Sequence, residues 1–302
     1  MSVFPLIPVL LAGVLLFQEV QPAPQQPPTT AAEPVTEAPI EWVCPMDRDI
    51  RMKGPGKCPR CGMTLVPGIP DFVEYIVKVR TNPRAIRPGR ETELSFEMLD
   101  PKTRKRVTEF QIVHEKLCHL FLVSRDLKSF NHIHPVLGKD GIFRLPWTFT
   151  EPGMYRVLND YYPKGGTPQL TTNTIFVQGT PPVGEGPPKL AVDMSEQKSA
   201  NTSAKLTLDP PQPIAGFKTL MFFDLTPGDG LEKYIGAWGH MLAASEDLVD
   251  MIHNHPFLAN GGPHVQFNMI FPRPGIYRVW VQFQRKGVVN TFAFNVPVVE
   301  LK

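Results

Sequence analysis

A surplus of charge of either sign is missing from this 302-residue chain. Lys and Arg number 31 against 29 Asp and Glu, a formal net charge of +2. Nucleic-acid binders show a clustered basic surface, so the balance argues against that class, and a polyanionic metal buffer is disfavoured on the same ground. Cysteine is scarce as well: 4 residues are too few for a disulfide scaffold. Phosphate-binding glycine loops, dinucleotide fingerprints and nucleophile triads do not occur. One apolar run stands out, at residues 4–17, and it is shorter than the roughly 20 residues a membrane helix needs. Proline, in contrast, is plentiful. The 34 prolines and 23 glycines exclude a mostly helical chain and point to loops, linkers and strand ends. Hydrophobic residues at 42% and aromatics at 10% are enough for packed cores, and the length suits about two domains.

The run FPLIPVLLAGVLLF at residues 4–17 has the length of a signal-peptide apolar region. Pro5 and Pro8 argue against a buried helix. No Lys or Arg precedes the run and no clear A-x-A site follows, so an uncleaved short anchor is the alternative. Residues 1–22 are expected to be that signal or anchor, and residues 23–40, rich in Pro, Gln, Thr and Ala, a disordered spacer. A periplasmic or secreted location follows as an expectation, with membrane contact only through the N-terminal segment if it is retained.

Three of the four cysteines fall in residues 42–67, WVCPMDRDIRMKGPGKCPRCGMTLVP. Cys58 and Cys61 form a Cys-Pro-Arg-Cys-Gly knuckle, in which Gly62 permits the positive φ of a tight turn. Cys44 stands in a Cys-Pro-Met step, and Met46 and Met63 each follow a cysteine by two residues. Thiolates with thioethers make a soft donor set for copper, Ag(I) or Zn(II). The competing reading is one disulfide with a leftover thiol.

These residues resemble the short heavy-metal-binding domain found beside copper- and silver-transporting ATPases and on periplasmic efflux adaptors. That family reads Tyr-x-Cys-Pro-Met-His-Pro, then Pro-Gly-x-Cys-Pro-x-Cys-Gly-Met-x-Leu. Cys44, Pro45, Met46, Pro55, Gly56, Cys58, Pro59, Cys61, Gly62, Met63 and Leu65 match it. The family's His after Cys-Pro-Met is Asp47 here, an oxygen in place of a nitrogen. The resemblance implies a metal-binding module over residues 41–68, with a metal-efflux or copper-handling protein as partner.

The rest of the chain repeats itself. CHLFLVSRDLKSFNHIHP at residues 118–135 aligns with GHMLAASEDLVDMIHNHP at residues 239–256. PGMYRV at residues 152–157 aligns with PGIYRV at residues 274–279. Short apolar runs of period two, punctuated by Gly, Pro, Asn and Asp, predict strands near 92–99, 119–123, 143–149, 155–158 and 174–177. The second copy predicts them near 204–208, 220–225, 265–270, 277–283 and 291–298. The expected fold is therefore mainly β: a small cysteine-knuckle metal-binding module, then two tandem immunoglobulin-like β-sandwich domains. Their boundaries fall at 71–179 and 190–302, with a linker at 180–189.

Six of the 8 histidines form two identically spaced triplets: His119, His132 and His134, and His240, His253 and His255. A hairpin with a four-residue loop at 125–128 would pair Ser124 with Ser129 and set His119 opposite His134. His132 is then the diagonal neighbour on the same face. A loop at 246–249 does the same for His240 and His255. A one-residue slip would scatter each triplet over both faces. Three imidazoles suit Zn(II) or Cu(II) and also hold Cu(I). Duplication copies structural histidines equally well, so buried structural roles stay open. His114 and Glu115 are expected near the first triplet and His264 near the second. Cys118 has Gly239 as its counterpart and should be a buried thiol on the opposite face from His119. A blue-copper site is disfavoured, because it needs a cysteine between the histidines. The His-Leu-Phe-Leu-Val-Ser-Arg-Asp-Leu and His-x-His-Pro pattern resembles secreted bacterial β-domain proteins that sit beside metal-efflux or copper-handling genes.

The expectation is a secreted or periplasmic protein that binds copper, silver or zinc, for sequestration, delivery or efflux. Its metal ligands would be Cys44, Met46, Cys58, Cys61, Met63 and the six triplet histidines. It is not expected to be an enzyme or to bind nucleic acid. The alternatives are a structural or partner-binding pair of sandwiches, and a copper-dependent redox enzyme.

Overall fold

The computed structural model describes residues 41–43, 51–57, 59, 65–68, 73–164, 166–180 and 188–301. The expected signal, spacer and most of the 180–189 linker lie outside the described residues. The chain divides into two compact units, Met1–Ile69 and Pro70–Lys302. In the first unit, Glu41–Val43 is the middle strand of a three-stranded antiparallel sheet between Arg51–Met52 and Val66–Gly68. Arg51 and Glu41 form an ion pair at 3.0 Å. Buried Leu65 donates its N–H to the Gly56 carbonyl at 2.9 Å.

In the second unit each repeat is built from two antiparallel sheets. In repeat 1, one sheet runs Ile76–Asn82, Glu91–Leu99, Phe143–Thr148, Val136–Leu137. The other runs Gln169–Val177, Gly153–Pro163, Cys118–Ser124, Phe130–Ile133, with Phe110–Gln111 also on Gly153–Pro163. Repeat 2 has Gln197–Lys198, Ser203–Asp209, Lys218–Thr226 and His264–Ile270 in one sheet. Its other sheet holds Leu231–Glu232, Gly275–Arg285, His240–Ser245 and Met251–Asn254, with Val288–Val298 against Gly275–Arg285.

Alternation of buried and exposed residues along Ser203–Asp209 and Lys218–Thr226 gives that sheet of repeat 2 one apolar face. The sheets meet in two cores. Leu94, Phe96, Met98 and Phe143 pack on Leu120, Leu122, Tyr155 and Val157; Met221, Phe223 and Phe267 pack on Met241, Ala243, Val279 and Val281. The Pro-Gly-x-Tyr blocks open the long strands Gly153–Pro163 and Gly275–Arg285. Tyr155 Oη donates to the Glu151 carbonyl at 3.0 Å; Tyr277 Oη accepts the Arg273 N–H at 3.3 Å, lies 3.2 Å from the Arg273 carbonyl and donates to Asp250 Oδ2 at 2.7 Å. This Tyr-to-backbone corner is a hallmark of immunoglobulin-like sandwiches. Both repeats therefore have the expected fold, with these two strands longer than the apolar runs alone indicate.

Cys118–Ser124 and His240–Ser245 are buried at every position. Their second faces are covered by the opposite repeat. Phe121, Val123, Leu127 and Leu158 pack with Leu242, Ala244, Leu248, Met251 and Trp280. Phe130 stacks on Trp280 at 4.9 Å between ring centres. Each fully buried side chain of this size is worth about 1.5–3 kcal/mol, so the repeats are held against each other by a core of their own.

Candidate metal centre between the repeats

The histidine hairpins are set by local hydrogen bonds. Ser124 Oγ donates to Asp126 Oδ1 at 2.5 Å and accepts the Ser129 N–H at 2.9 Å, while Lys128 N–H reaches Asp126 at 3.2 Å. Ser245 and Asp247 repeat the pattern with Val249 and Asp250. Leu127 and Leu248 take positive φ values of 58° and 56°, unusual for leucine. Both are buried in the core between the repeats, which offsets the strain. The loop thus has four residues, Leu120 pairs with Ile133, and Met241 pairs with Asn254. That is the register the sequence predicts. His119 and His240 have the parity of Phe121 and Leu242, so they point at the opposite repeat.

The consequence differs from two separate triplets. Seven histidines form one cluster between the repeats. His119 Nδ1 lies 3.0 Å from His132 Nε2 and 3.2 Å from His134 Nε2. His255 Nε2 lies 3.1 Å from His240 Nδ1. The ring centres of His119 and His240 are 5.7 Å apart, and those of His132 and His240 are 5.1 Å apart. Two groups have ligand nitrogens within 4.8 Å of one another: His119, His132 and His240, drawn from both repeats, and His240, His253 and His255. His114 is the seventh. Its ring centre sits 3.8 Å from that of His255 and 5.8 Å from that of His240, but 6.5 Å from that of His119, so it lies nearer the other repeat's triplet than the first histidine of its own.

Backbone carbonyls and side-chain oxygens fix which nitrogen of four rings is bare. His119 Nε2–H donates to the Val113 carbonyl at 3.0 Å, and His240 Nε2–H to the Tyr234 carbonyl at 2.8 Å. These carbonyls come from matching tight turns at 113–116 and 234–237. The turns meet at Gly236, whose φ is +72° and whose added Cβ would touch Glu115 Cγ at 3.4 Å. His132 Nδ1–H donates to Gln282 Oε1 at 3.0 Å, the Gln282 amide N–H being engaged with Thr291. His253 Nδ1–H donates to Asp160 Oδ2 at 2.5 Å. The bare atoms are therefore Nδ1 of His119 and His240 and Nε2 of His132 and His253. Each outer nitrogen holds an oxygen, the arrangement that orients metal-ligating imidazoles.

Burial pushes the His134 imidazole down to about 3 and the His240 imidazole to about 4. It also holds His119, His132, His253 and His255 below the ordinary range, with neighbouring imidazoles pushing the same way. The rings are neutral at pH 7, the form that ligates metal. The Asp160 carboxyl is pushed up to about 6 by burial and is still ionised there.

This donor set fits a cation. His119 Nδ1 and His132 Nε2 present lone pairs to each other at 3.0 Å, which repel unless a positive charge lies between them. The buried His253 Nε2 has no hydrogen-bond partner among the described residues. Metal–nitrogen bonds of about 2.0–2.1 Å, opened by roughly 90–110°, separate ligand nitrogens by about 2.9–3.4 Å. The separations of 3.0–3.2 Å lie in that window. Three imidazoles with open positions suit Zn(II) and copper.

All six predicted histidines are in the cluster. Cys44, Met46, Cys58, Cys61 and Met63 lie outside the described residues. Cys118 is buried in the first sandwich core, on the face away from His119. His264 does not approach the triplet: it lies in the other sheet, exposed, 2.5 Å from Asp224. Asp160 and Gln282 were not singled out by sequence. They occupy matching positions, each opposite its own repeat's first histidine, and the alignment of the PGxYRV strands would have paired them.

The chain matches two protein families. The heavy metal binding domain matches residues 41–67, so that segment is similar to it. The domain of unknown function DUF8832 matches twice, at residues 73–179 and 197–300. No curated protein matches the chain in sequence. Among solved structures, a titin immunoglobulin tandem is 10% identical, covering 76% of this chain and 98% of its own, with a TM-score of 0.19. The chicken CNTN1 FN1–FN3 domains are 10% identical over 80% of this chain and 76% of that one, at 0.21. A putative membrane anchored protein from Corynebacterium diphtheriae is 8% identical over 79% and 64%, at 0.23. With both sandwich repeats matched, over more than half of its length, the chain belongs to the DUF8832 family.

Proposed function

We propose that this protein is a periplasmic or secreted heavy-metal-binding protein that holds ions in the inter-repeat histidine cluster. The cysteine–methionine segment would capture or hand over the ion, in sequestration, delivery or efflux. Copper is the metal both donor sets accept well: thiolates and thioethers favour Cu(I), and imidazoles hold both of its oxidation states. The observation that carries the reading is the buried, unpartnered Nε2 of His253, whose Nδ1–H is held by Asp160. The apolar run at residues 4–17 supports the location.

Chelator competition with copper tests both halves. Cys58→Ser with Cys61→Ser is expected to abolish binding of a Cu(I) equivalent and leave the imidazole-bound copper in place. His132→Gln with His134→Gln should do the reverse. A double variant that binds as the wild type does overturns the role of the residues it removes. The protein is proposed to bind without turnover. Ascorbate-driven oxygen consumption no faster than that of free copper is the expected result, and a faster rate favours a copper redox enzyme.

A further inference from the structure

We infer that the cluster is a two-ion centre with unequal halves, tuned across the interface by Asp160 and Gln282. This rests on the proposed metal binding and adds its stoichiometry and order of filling. The two groups of close nitrogens share His240, yet only one nitrogen of that ring is bare, because Nε2 is spent on the Tyr234 carbonyl. His240 serves one ion. The half with His253 and His255 then has three rings, His240 contributing Nδ1 at 3.1 Å from His255 Nε2. The other half closes with His134, whose Nε2 is 3.2 Å from His119 Nδ1. Each half so assembled has one Nδ1 ligand and two Nε2 ligands, as the duplication requires. Seven imidazoles also exceed the four ligands that one Zn(II) or Cu(I) ion takes.

The halves differ in what supports them. His253 Nδ1–H rests on a carboxylate of repeat 1, Asp160 at 2.5 Å; His132 Nδ1–H rests on a neutral amide of repeat 2, Gln282 at 3.0 Å. A carboxylate behind an imidazole raises its basicity and supplies a negative charge near the ion, whereas an amide only orients the ring. The His253 half fills first. The second ion then enters against the first ion's charge, with no carboxylate on its own histidine. Asp160 and Gln282 are positioning residues.

The test uses the full chain with Cys44, Cys58 and Cys61 changed to Ser, titrated with Cu(II) under chelator competition and followed by electron paramagnetic resonance. Two ions are expected, the first bound at least ~10-fold more tightly. One equivalent should give an isolated nitrogen-ligated signal, and the second should quench it through coupling between neighbouring ions. Asp160→Asn should weaken the first step by ~10–100-fold and spare the second. Gln282→Glu should tighten the second step. A single histidine-dependent ion, or two uncoupled signals, overturns the two-ion centre. Equal effects of Asp160→Asn on both steps, or none on either, overturn the asymmetry. Loss of all histidine-dependent binding from the parent chain would instead sink the proposed function.

Discussion

Acidifying the metal-free protein from pH 7 to pH 4 is expected to remove several kcal/mol of stability. The histidines of the cluster are held neutral by burial, so their folded pKa values lie below the unfolded value near 6.5. Below that pH the unfolded chain takes up protons that the folded chain refuses, and the balance tips towards unfolding. The contribution is complete above pH 6.5 and is lost as the pH falls through the folded values. For His240, the interval from 6.5 to about 4 corresponds to roughly 3 kcal/mol. His134 extends the loss to about pH 3. Asp160 acts in the opposite sense. Its carboxyl is raised to about 6, so its contribution is full below pH 3.8 and disappears as the pH rises through 6. That offsets about one histidine and leaves the rest uncompensated. Urea midpoints at pH 7.5, 5.5 and 4, with a chelator present, measure this. A flat profile would refute the burial of neutral imidazoles. Saturating metal should move the loss to lower pH, since protons and the ion compete for the same lone pairs.

Phe121→Ala should cost about 3–5 kcal/mol and weaken metal binding at the same time. Phe121 is 1% exposed, stacks on His132 at 4.3 Å with rings 16° apart, and stands 4.7 Å from His253. It belongs to the core between the repeats, so its removal loosens the surface that brings the two sets of histidines together. The control is Phe96→Ala. Phe96 is equally buried, but inside the first sandwich, and its loss should cost similar stability with ion affinity intact in the folded protein. Urea denaturation and chelator competition on both variants decide the matter. If affinity falls equally in both, or in neither, the interface is not what assembles the site.

How much of the site could be read in advance depends on the range of each interaction. The triplets were legible because the Ser-x-Asp-Leu turn, period-two alternation and the hairpin register act over fewer than twenty residues, and the structure shows that register. The corner built on Tyr155 and Tyr277 is just as local. His264 shows where the reading fails: proximity in sequence to His253 and His255 says nothing about its sheet, and pairing with Lys218–Thr226 carries it to the opposite one. The spacing of His114 from His119 marked it as a neighbour but could not show its ring against His255.

The sequence by itself determined the duplication, the strands and the common face of each histidine triplet, since these follow from backbone geometry and hydrogen bonds between near neighbours. Only the tertiary structure decided that the two faces look at each other. The run at 120–123 is apolar on both sides, which demands a second cover, but what supplies it is a contact between surfaces more than a hundred residues apart. That contact merges two triplets into one cluster and sets Asp160 behind His253 and Gln282 behind His132. A substitution between aligned positions that looks neutral along the chain becomes, across the interface, a difference of one charge beside the ion.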